Sequence, residues 1–267
     1  MVNITWVVET EAFDESYSAF LQAIESAGHR CLRWKEDWWF NGKLPRLDDS
    51  PVVFHGSLGN AHRIASEVSW APGAYCDTAE FLCSAWYERA KPWLVHEQWI
   101  FSTVEALIAD PSGVAGDLAI DGNVFVRPDS PLKPFSGRVC RLDGISLKDL
   151  DHGFYYDDLN TPVVVAPVRE VGKEWRFVVV DGEVVAWSGY EASRRAAEHS
   201  GTDDALARAR EIVAVLVPPE PVYVLDIAQC GEELRLMELN PFSGADLYGC
   251  DPAAIVAAVS QLASTQG

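Results

Sequence analysis

Two apolar runs, Val222-Tyr223-Val224-Leu225 and Leu234-Arg235-Leu236-Met237, each end on oxygen-bearing side chains. Asp226 follows the first, and Glu238 and Asn240 follow the second. The Ala228 to Glu233 segment between them contains Gly231 and has the composition of a hairpin loop. If the runs pair antiparallel, Asp226 and Glu238 come close. Side chains alternate along a strand, so Glu238 and Asn240 share a face from which Leu239 turns away. Two carboxylates and an amide oxygen make the hard-oxygen set that Mg²⁺ favours where it also holds nucleotide phosphates. An ordinary hairpin with a polar wet face would show the same pattern, so the segment has to be read with the rest of the chain.

At 267 residues the chain is long for one domain and short for three independent ones, which predicts packed lobes. An apolar content of 48% is enough for a core. The net charge of −19 argues against a nucleic-acid surface or an anionic membrane as partner. A nucleotide stays compatible, because a few cations focused in a cleft suffice. Six cysteines show neither C-x-x-C pairs nor metal-ligand spacing. The N-terminus, Met-Val-Asn-Ile-Thr-Trp before an acidic run, does not read as a signal peptide. No apolar run approaches the roughly 20 residues that span a bilayer. Reduced thiols in a cytoplasmic protein are expected.

The chain opens as a βαβ-type unit. Ile4 to Val8 reads as a buried strand, and Phe13, Tyr17, Phe20, Leu21 and Ile24 then follow a helical period that ends near Gly28. Pro51 to Phe54 reads as a second strand, followed by His55-Gly56-Ser57-Leu58-Gly59-Asn60 and a helix from Ala61. Such a glycine-containing loop is a place for a small ligand, and equally an ordinary tight turn. Trp34, Trp38, Trp39 and Phe40 are expected to be mostly core. A boundary falls near Ala90-Lys91-Pro92, after which Ser102 and Glu105 fit a capping box. Asp121-Gly122-Asn123 turns into Val124-Phe125-Val126, and Pro162 to Val165 is another strand. Asp181-Gly182, between two apolar runs, is the strongest short hairpin signal in the chain. Helices are expected from Thr202 through Leu216 and from Asp251-Pro252 onward. This order predicts an α/β lobe joined to an α+β part.

Two more stretches carry chemistry. Arg127 follows a strand and begins Arg127-Pro128-Asp129-Ser130-Pro131-Leu132-Lys133-Pro134-Phe135-Ser136-Gly137. A cation on a rigid base, followed by a Pro/Ser/Gly loop with a second cation, suits phosphate; a solvated surface loop is the alternative. Gly172-Lys173-Glu174-Trp175-Arg176 starts the Asp181-Gly182 hairpin, with Glu174 and Arg176 on one face. That pair reads as an ion pair worth a few tenths of a kcal/mol, or as a cation placed for developing negative charge.

The succession of cation strand and loop, G-x-E-x-R hairpin and D…E-x-N resembles the ATP-grasp family. The clearest matches are Phe125-Val126-Arg127-Pro128 with Lys133 and Gly137, Lys173-Glu174-Trp175-Arg176-Phe177, and Glu238-Leu239-Asn240-Pro241-Phe242. The chain is most similar to small ATP-grasp proteins of bacteria and phages, over roughly residues 90 to 262. The resemblance implies a Rossmann-like N-terminal lobe followed by a two-lobed ATP-grasp domain, with lobes at residues 1–90, 91–165 and 166–267. It implies ATP and Mg²⁺ as cofactors, with Asp226, Glu238 and Asn240 as metal ligands. Arg127 takes the place of the family's phosphate-binding lysine, and Lys133 to Gly137 that of the mobile loop covering the phosphates. Val165 to Val168 follows the adenine-binding hinge, where Ala166 and Val168 supply backbone groups and Pro167 lacks an amide. Glu170 or Glu174 would meet the ribose. Arg176 and Lys133 would neutralise charge in the reaction. Tyr190 stands near where some relatives place a further Arg.

The resemblance also implies a ligase that activates a carboxylate as an acylphosphate for attack by an amine, on a peptide or a small metabolite. The second substrate would sit between the N-terminal lobe and the Phe242-Ser243-Gly244-Ala245-Asp246 loop, with Ser243 and Asp246 near the amine. A kinase acting on a hydroxyl and a non-catalytic nucleotide-binding module are the rival readings. A homodimer is expected from the resemblance alone. His55, His96 and His152 are read as ordinary polar residues.

Overall fold

The computed structural model describes residues 3–47, 49–153, 158–191, 194–198 and 202–266. The chain divides into two compact units. The first comprises residues 1–77, 173–227 and 238–267, and the second residues 78–172 and 228–237. This partition is not the three-lobe one with breaks at residues 90 and 165.

The first unit begins with a parallel sheet. Strands β1 (Thr5–Val8), β2 (Arg30–Arg33), β3 (Val52–His55) and β4 (Pro72–Gly73) lie in the order β2-β1-β3-β4. Both β1 and β3 are buried throughout, as their unbroken apolar runs require. The helix Asp14–Ser26 connects β1 to β2 and turns Tyr17, Phe20 and Ile24 into the core. Gly28, at φ +76°, follows that helix in the left-handed region where a side chain is costly. Trp34 is buried and Trp38 and Trp39 pack against its cluster, whereas Phe40 is 85% exposed, an exception to the expected core.

The second unit holds an antiparallel sheet of β5 (Ile100–Thr103), β6 (Asn123–Pro128), β7 (Arg138–Arg141) and β8 (Pro162–Ala166), in the order β5-β8-β6-β7. Its core gathers Val104, Leu107, Val124, Val126, Phe135, Val163 and Val165. The helix Val104–Ala109 is capped by the Thr103 side chain, which accepts from the Ala106 amide at 3.2 Å. The cap therefore lies one residue beyond the Ser102 that the pattern suggested.

A five-stranded sheet follows, of β9 (Glu174–Val180), β10 (Glu183–Glu191), β11 (Arg194–Glu198), β12 (Val222–Cys230) and β13 (Glu233–Pro241), in the order β11-β10-β9-β12-β13. Asp181 and Gly182 join β9 to β10 at φ +50° and +80°, the geometry that a two-residue hairpin with right-handed twist demands. β12 and β13 run further than expected, leaving only Gly231 and Glu232 between them rather than a loop from Ala228 to Glu233. The helices Thr202–Val215 and Pro252–Gln266 complete the first unit. Asp251 caps the second of these, accepting from the Ala253 amide at 2.9 Å. The six cysteines are free thiols. Among the described residues, no helix is long and apolar enough to cross a membrane.

Candidate functional site

Glu174 and Arg176 stand two residues apart on β9, while Trp175 between them is buried in the opposite sense. Arg176 is only 7% exposed, and a charge in that position needs a partner. Asp226, on the neighbouring β12 and 1% exposed, provides it. The guanidinium meets the carboxylate fork on fork: Nε donates to Oδ1 at 2.9 Å and Nη2 to Oδ2 at 2.7 Å. Arg176 Nη1 donates to the Asp246 carbonyl at 2.5 Å. On β13, Asn240 Nδ2 donates to Asp226 Oδ2 at 3.2 Å, which leaves the amide oxygen as that side chain's acceptor.

Two aromatic rings complete the cluster. The Tyr248 ring lies 4.6 Å from the Arg176 guanidinium carbon and the Tyr190 ring 5.6 Å from it. The two rings stack on each other at 4.6 Å and 28°. The Tyr190 hydroxyl donates to Glu174 Oε2 at 2.7 Å. Burial raises the Glu174 carboxyl above its ordinary range, the Tyr190 hydrogen bond acting against that. Burial also raises the Tyr190 phenol, reinforced by the Asp226 charge. For Arg176, burial works against the charge and Asp226 overcomes it, so the guanidinium stays firmly protonated. Glu174, Arg176, Asp226 and Asn240 are thus brought together. Glu238 stands half-buried on β13, close enough to Glu174 to raise its proton affinity. Arg176, read from sequence as a phosphate cation, is held by Asp226, a bond that side-chain alternation does not reveal.

In the second unit, Arg127 on β6 pairs with Val164 of β8, and Phe125 pairs with Ala166. A Cβ on Gly137 would lie 2.8 Å from the Phe125 ring and 3.3 Å from the Arg127 Cβ, so the loop backbone rests against β6 there. Lys133 takes a left-handed φ of +49°, its amide donating to the Ser130 carbonyl at 3.2 Å. Asp129 of the same loop faces the helix Cys83–Ala90, accepting from the Ser84 amide at 2.7 Å and from its hydroxyl at 2.8 Å. Val168 follows β8, half-buried. Glu170 lines a cavity of about 280 Å³ with Arg169, Glu97, Glu233 and Arg235.

His96 is the residue that sequence reasoning passed over. Its ring stacks on Phe125 at 4.9 Å and 20°. Burial pushes its pKa down to about 4, helped by the charges of Arg127 and Arg169. Its Nδ1 is buried with no hydrogen-bond partner among the described residues. No spacing in the chain links His96 to Phe125. Only the fold joins them.

The Gly56 loop is closed to an anion. Glu9, at the end of β1, accepts from the Ser57 amide and hydroxyl at 2.7 Å each and from Asn60 Nδ2 at 3.0 Å. A Cβ on Gly56 would fall 2.5 Å from that of Glu9. The protein's own carboxylate therefore fills the start of the helix Leu58–Glu67, which begins three residues before the expected Ala61.

The donor chemistry fits Mg²⁺ and ATP. Asp226, Glu238 and Asn240 supply hard oxygens, and Arg127 and Lys133 supply cations for phosphate oxygens. Each carboxylate oxygen has two lone pairs, so Asp226 retains acceptor capacity beside Arg176. Among the described residues, three or more His, Cys, Asp or Glu side chains converge nowhere. The metal set consists of two carboxylates and an amide.

The profile of an ATP-grasp domain family, family 3 of its clade, matches residues 35–259. No curated protein sequence matches the chain. Among solved structures, the D-cycloserine synthetase DcsG is similar, with a TM-score of 0.62 and 15% identity over 98% of this chain and 100% of that one. A RimK domain ATP-grasp protein from Sphaerobacter thermophilus DSM 20745 has a TM-score of 0.60 and 13% identity, over 95% of this chain and 98% of that one. The ATP-grasp ligase PsnB, complexed with a phosphomimetic variant of its minimal precursor, Mg and ADP, has a TM-score of 0.56 and 13% identity. That match covers 98% of this chain and 99% of PsnB.

Proposed function

Because the chain belongs to the ATP-grasp domain family, we propose that it is a cytoplasmic, ATP- and Mg²⁺-dependent carboxylate–amine ligase. The observation that carries this reading is the buried cluster of Arg176, Asp226, Asn240 and Glu174 on adjoining strands, inside the matched residues. In this reading Asp226, Glu238 and Asn240 hold the metal, and Arg127, Lys133 and Gly137 hold the phosphates. Ala166 and Val168 present backbone to the base, and Glu174 stands toward the ribose. When bound, Mg²⁺·ATP would supply an activated γ-phosphoryl group and offset its charge.

The substrate carboxylate oxygen attacks γ-phosphorus and ADP leaves. The amine nitrogen then attacks the acyl carbon, phosphate leaves and the amine gives up a proton. Arg176, fixed by Asp226 and the Asp246 carbonyl, presents a rigid positive charge that needs no reorganisation as negative charge develops. Lys133 neutralises the transferring phosphate from its loop. The solved ligases support the reading by analogy: PsnB was captured with a precursor peptide and AMPPNP, and DcsG is a synthetase.

Thermal unfolding with and without ATP and Mg²⁺, on the natural protein and on Glu238→Ala, tests it. A ligand at about 100 times its dissociation constant stabilises the native state by roughly 2.7 kcal/mol, which shows as several degrees. A Mg²⁺-dependent shift that Glu238→Ala lacks is expected, and no shift in the natural protein refutes the nucleotide site. ADP and phosphate released only when acid and amine are both present separate a ligase from a kinase. One observation favours a nucleotide-binding module without ligation: both Asp226 oxygens already accept from Arg176. That reading predicts a nucleotide shift indifferent to Mg²⁺.

A further inference from the structure

We propose that the cavity between the helix Asp14–Ser26 and residues 247–252 binds the compact apolar side chain of an amino acid, either free or within a peptide. This deepens the ligase reading and rests on it for the amino acid's role as substrate. The cavity measures about 210 Å³, and its walls include Tyr17, Phe20, Leu247, Tyr248, Cys250 and Pro252. None of its lining side chains carries a formal charge at neutral pH, which excludes a phosphate or a carboxylate as the group that enters. Pockets for drug-sized ligands run to about 300–1,000 Å³, so this one suits a single side chain and not a stretch of peptide.

Its place in the fold is where a ligand is expected. In the order β2-β1-β3-β4 the chain reverses direction across the sheet between β1 and β3, and open α/β sheets bind ligands at the carboxyl ends of such strands. Tyr17 reaches that edge: its hydroxyl bonds Nδ1 of His55, the last residue of β3, at 2.9 Å. The polar seat at the same edge is already filled by Glu9, and the Gly56 amide donates to the Ser243 carbonyl at 2.9 Å. The apolar recess on the helix side is therefore the part of this edge that offers space.

Tyr248 ties the recess to the charged cluster. The ring that lines the cavity is the one stacked on Tyr190, 4.6 Å from the Arg176 guanidinium carbon. Tyr248 is held at φ +47°, which a tyrosine rarely adopts, with its amide donating to Asp246 Oδ1 at 2.9 Å. A side chain in the recess thus touches the residue that covers Arg176, and Phe20 and Tyr248 select its shape.

The test is calorimetric titration with phenylalanine, leucine, aspartate and the tripeptide Gly-Phe-Gly amide, each with and without ATP and Mg²⁺. The proteins are the natural chain and Ala19→Phe. Ala19 is exposed on the helix at the cavity wall, so the larger side chain obstructs the recess without entering the core. Phenylalanine or leucine binding, no aspartate binding, and at least tenfold weaker binding to Ala19→Phe are expected, with the variant's ligand-free Tm kept. Tripeptide binding without free phenylalanine binding assigns the side chain to a peptide, and the reverse assigns it to a free amino acid. Failure of all apolar probes, or equal binding to Ala19→Phe, overturns the assignment. Apolar binding in a protein that shows no response to ATP and Mg²⁺ keeps the pocket and removes the ligase reading.

Discussion

Arg176 and Asp226 are each too buried to lose the other safely. Removing one member of such a pair costs about 3–5 kcal/mol, because the remaining charge is left without a partner. Asp226→Ala is expected to lower the unfolding free energy by that order in denaturant titrations without ligand; a loss under about 1 kcal/mol would show that the pair is not formed. The same substitution is consequently a poor probe of metal binding, since instability hides it. Glu238 is half-buried, and Glu238→Ala should change stability by only about 1 kcal/mol while removing the Mg²⁺-dependent part of the nucleotide shift. The motif order picked out Arg176, Asp226, Glu238 and Asn240 as members of one constellation. It did not show that Arg176 binds Asp226, because alternation assigns a face and not a partner. That bond exists because β9 lies next to β12, and local sequence does not state this order.

Elements with their own punctuation were legible: the Asp181-Gly182 turn, the Asp251 cap and the unbroken apolar runs of β1, β3 and β8 all lie where expected. Elements stabilised from outside were not. β2 is short, lies at a sheet edge and reads Arg-Cys-Leu-Arg with both arginines exposed, so it carries no strand pattern of its own. β7 lies at another edge and also has an arginine at each end. The helix after β3 starts at Leu58 because Glu9, far back in the chain, satisfies its first donors. Glu9→Ala leaves the Ser57 amide and the Asn60 amide group without their acceptor. It should destabilise the protein by about 1–3 kcal/mol. Glu9→Gln keeps one accepting oxygen and should cost less. A rise in Tm of the natural protein with millimolar phosphate, lost on exchange into chloride, would instead mean that this helix start is open to anions.

For the whole molecule, charge and buried histidine act in different pH windows. His55 in the first unit and His96 in the second are held neutral by burial, with pKa values pushed down from 6.5 to about 3 and about 4. The unfolded chain takes up those two protons below about pH 6.5 and the folded one does not. Folding stability supplied by the neutral rings is therefore complete above pH 6.5 and falls as the pH drops toward 4 for His96 and toward 3 for His55. Within its window each histidine contributes a slope of about 1.4 kcal/mol per pH unit. The net charge of −19 works the other way, since acid relieves its self-repulsion, but ordinary carboxylates take up protons mainly near pH 4. Between pH 6.5 and 5 the histidines should prevail, and denaturant midpoints should fall with acidification. High salt screens the surface charge and should leave this slope in place, because burial causes it. His96→Gln, which removes one titrating ring, should flatten the slope by about one histidine's share. A flat profile from pH 7 to 5 in the natural protein would mean that neither ring is held neutral by the fold.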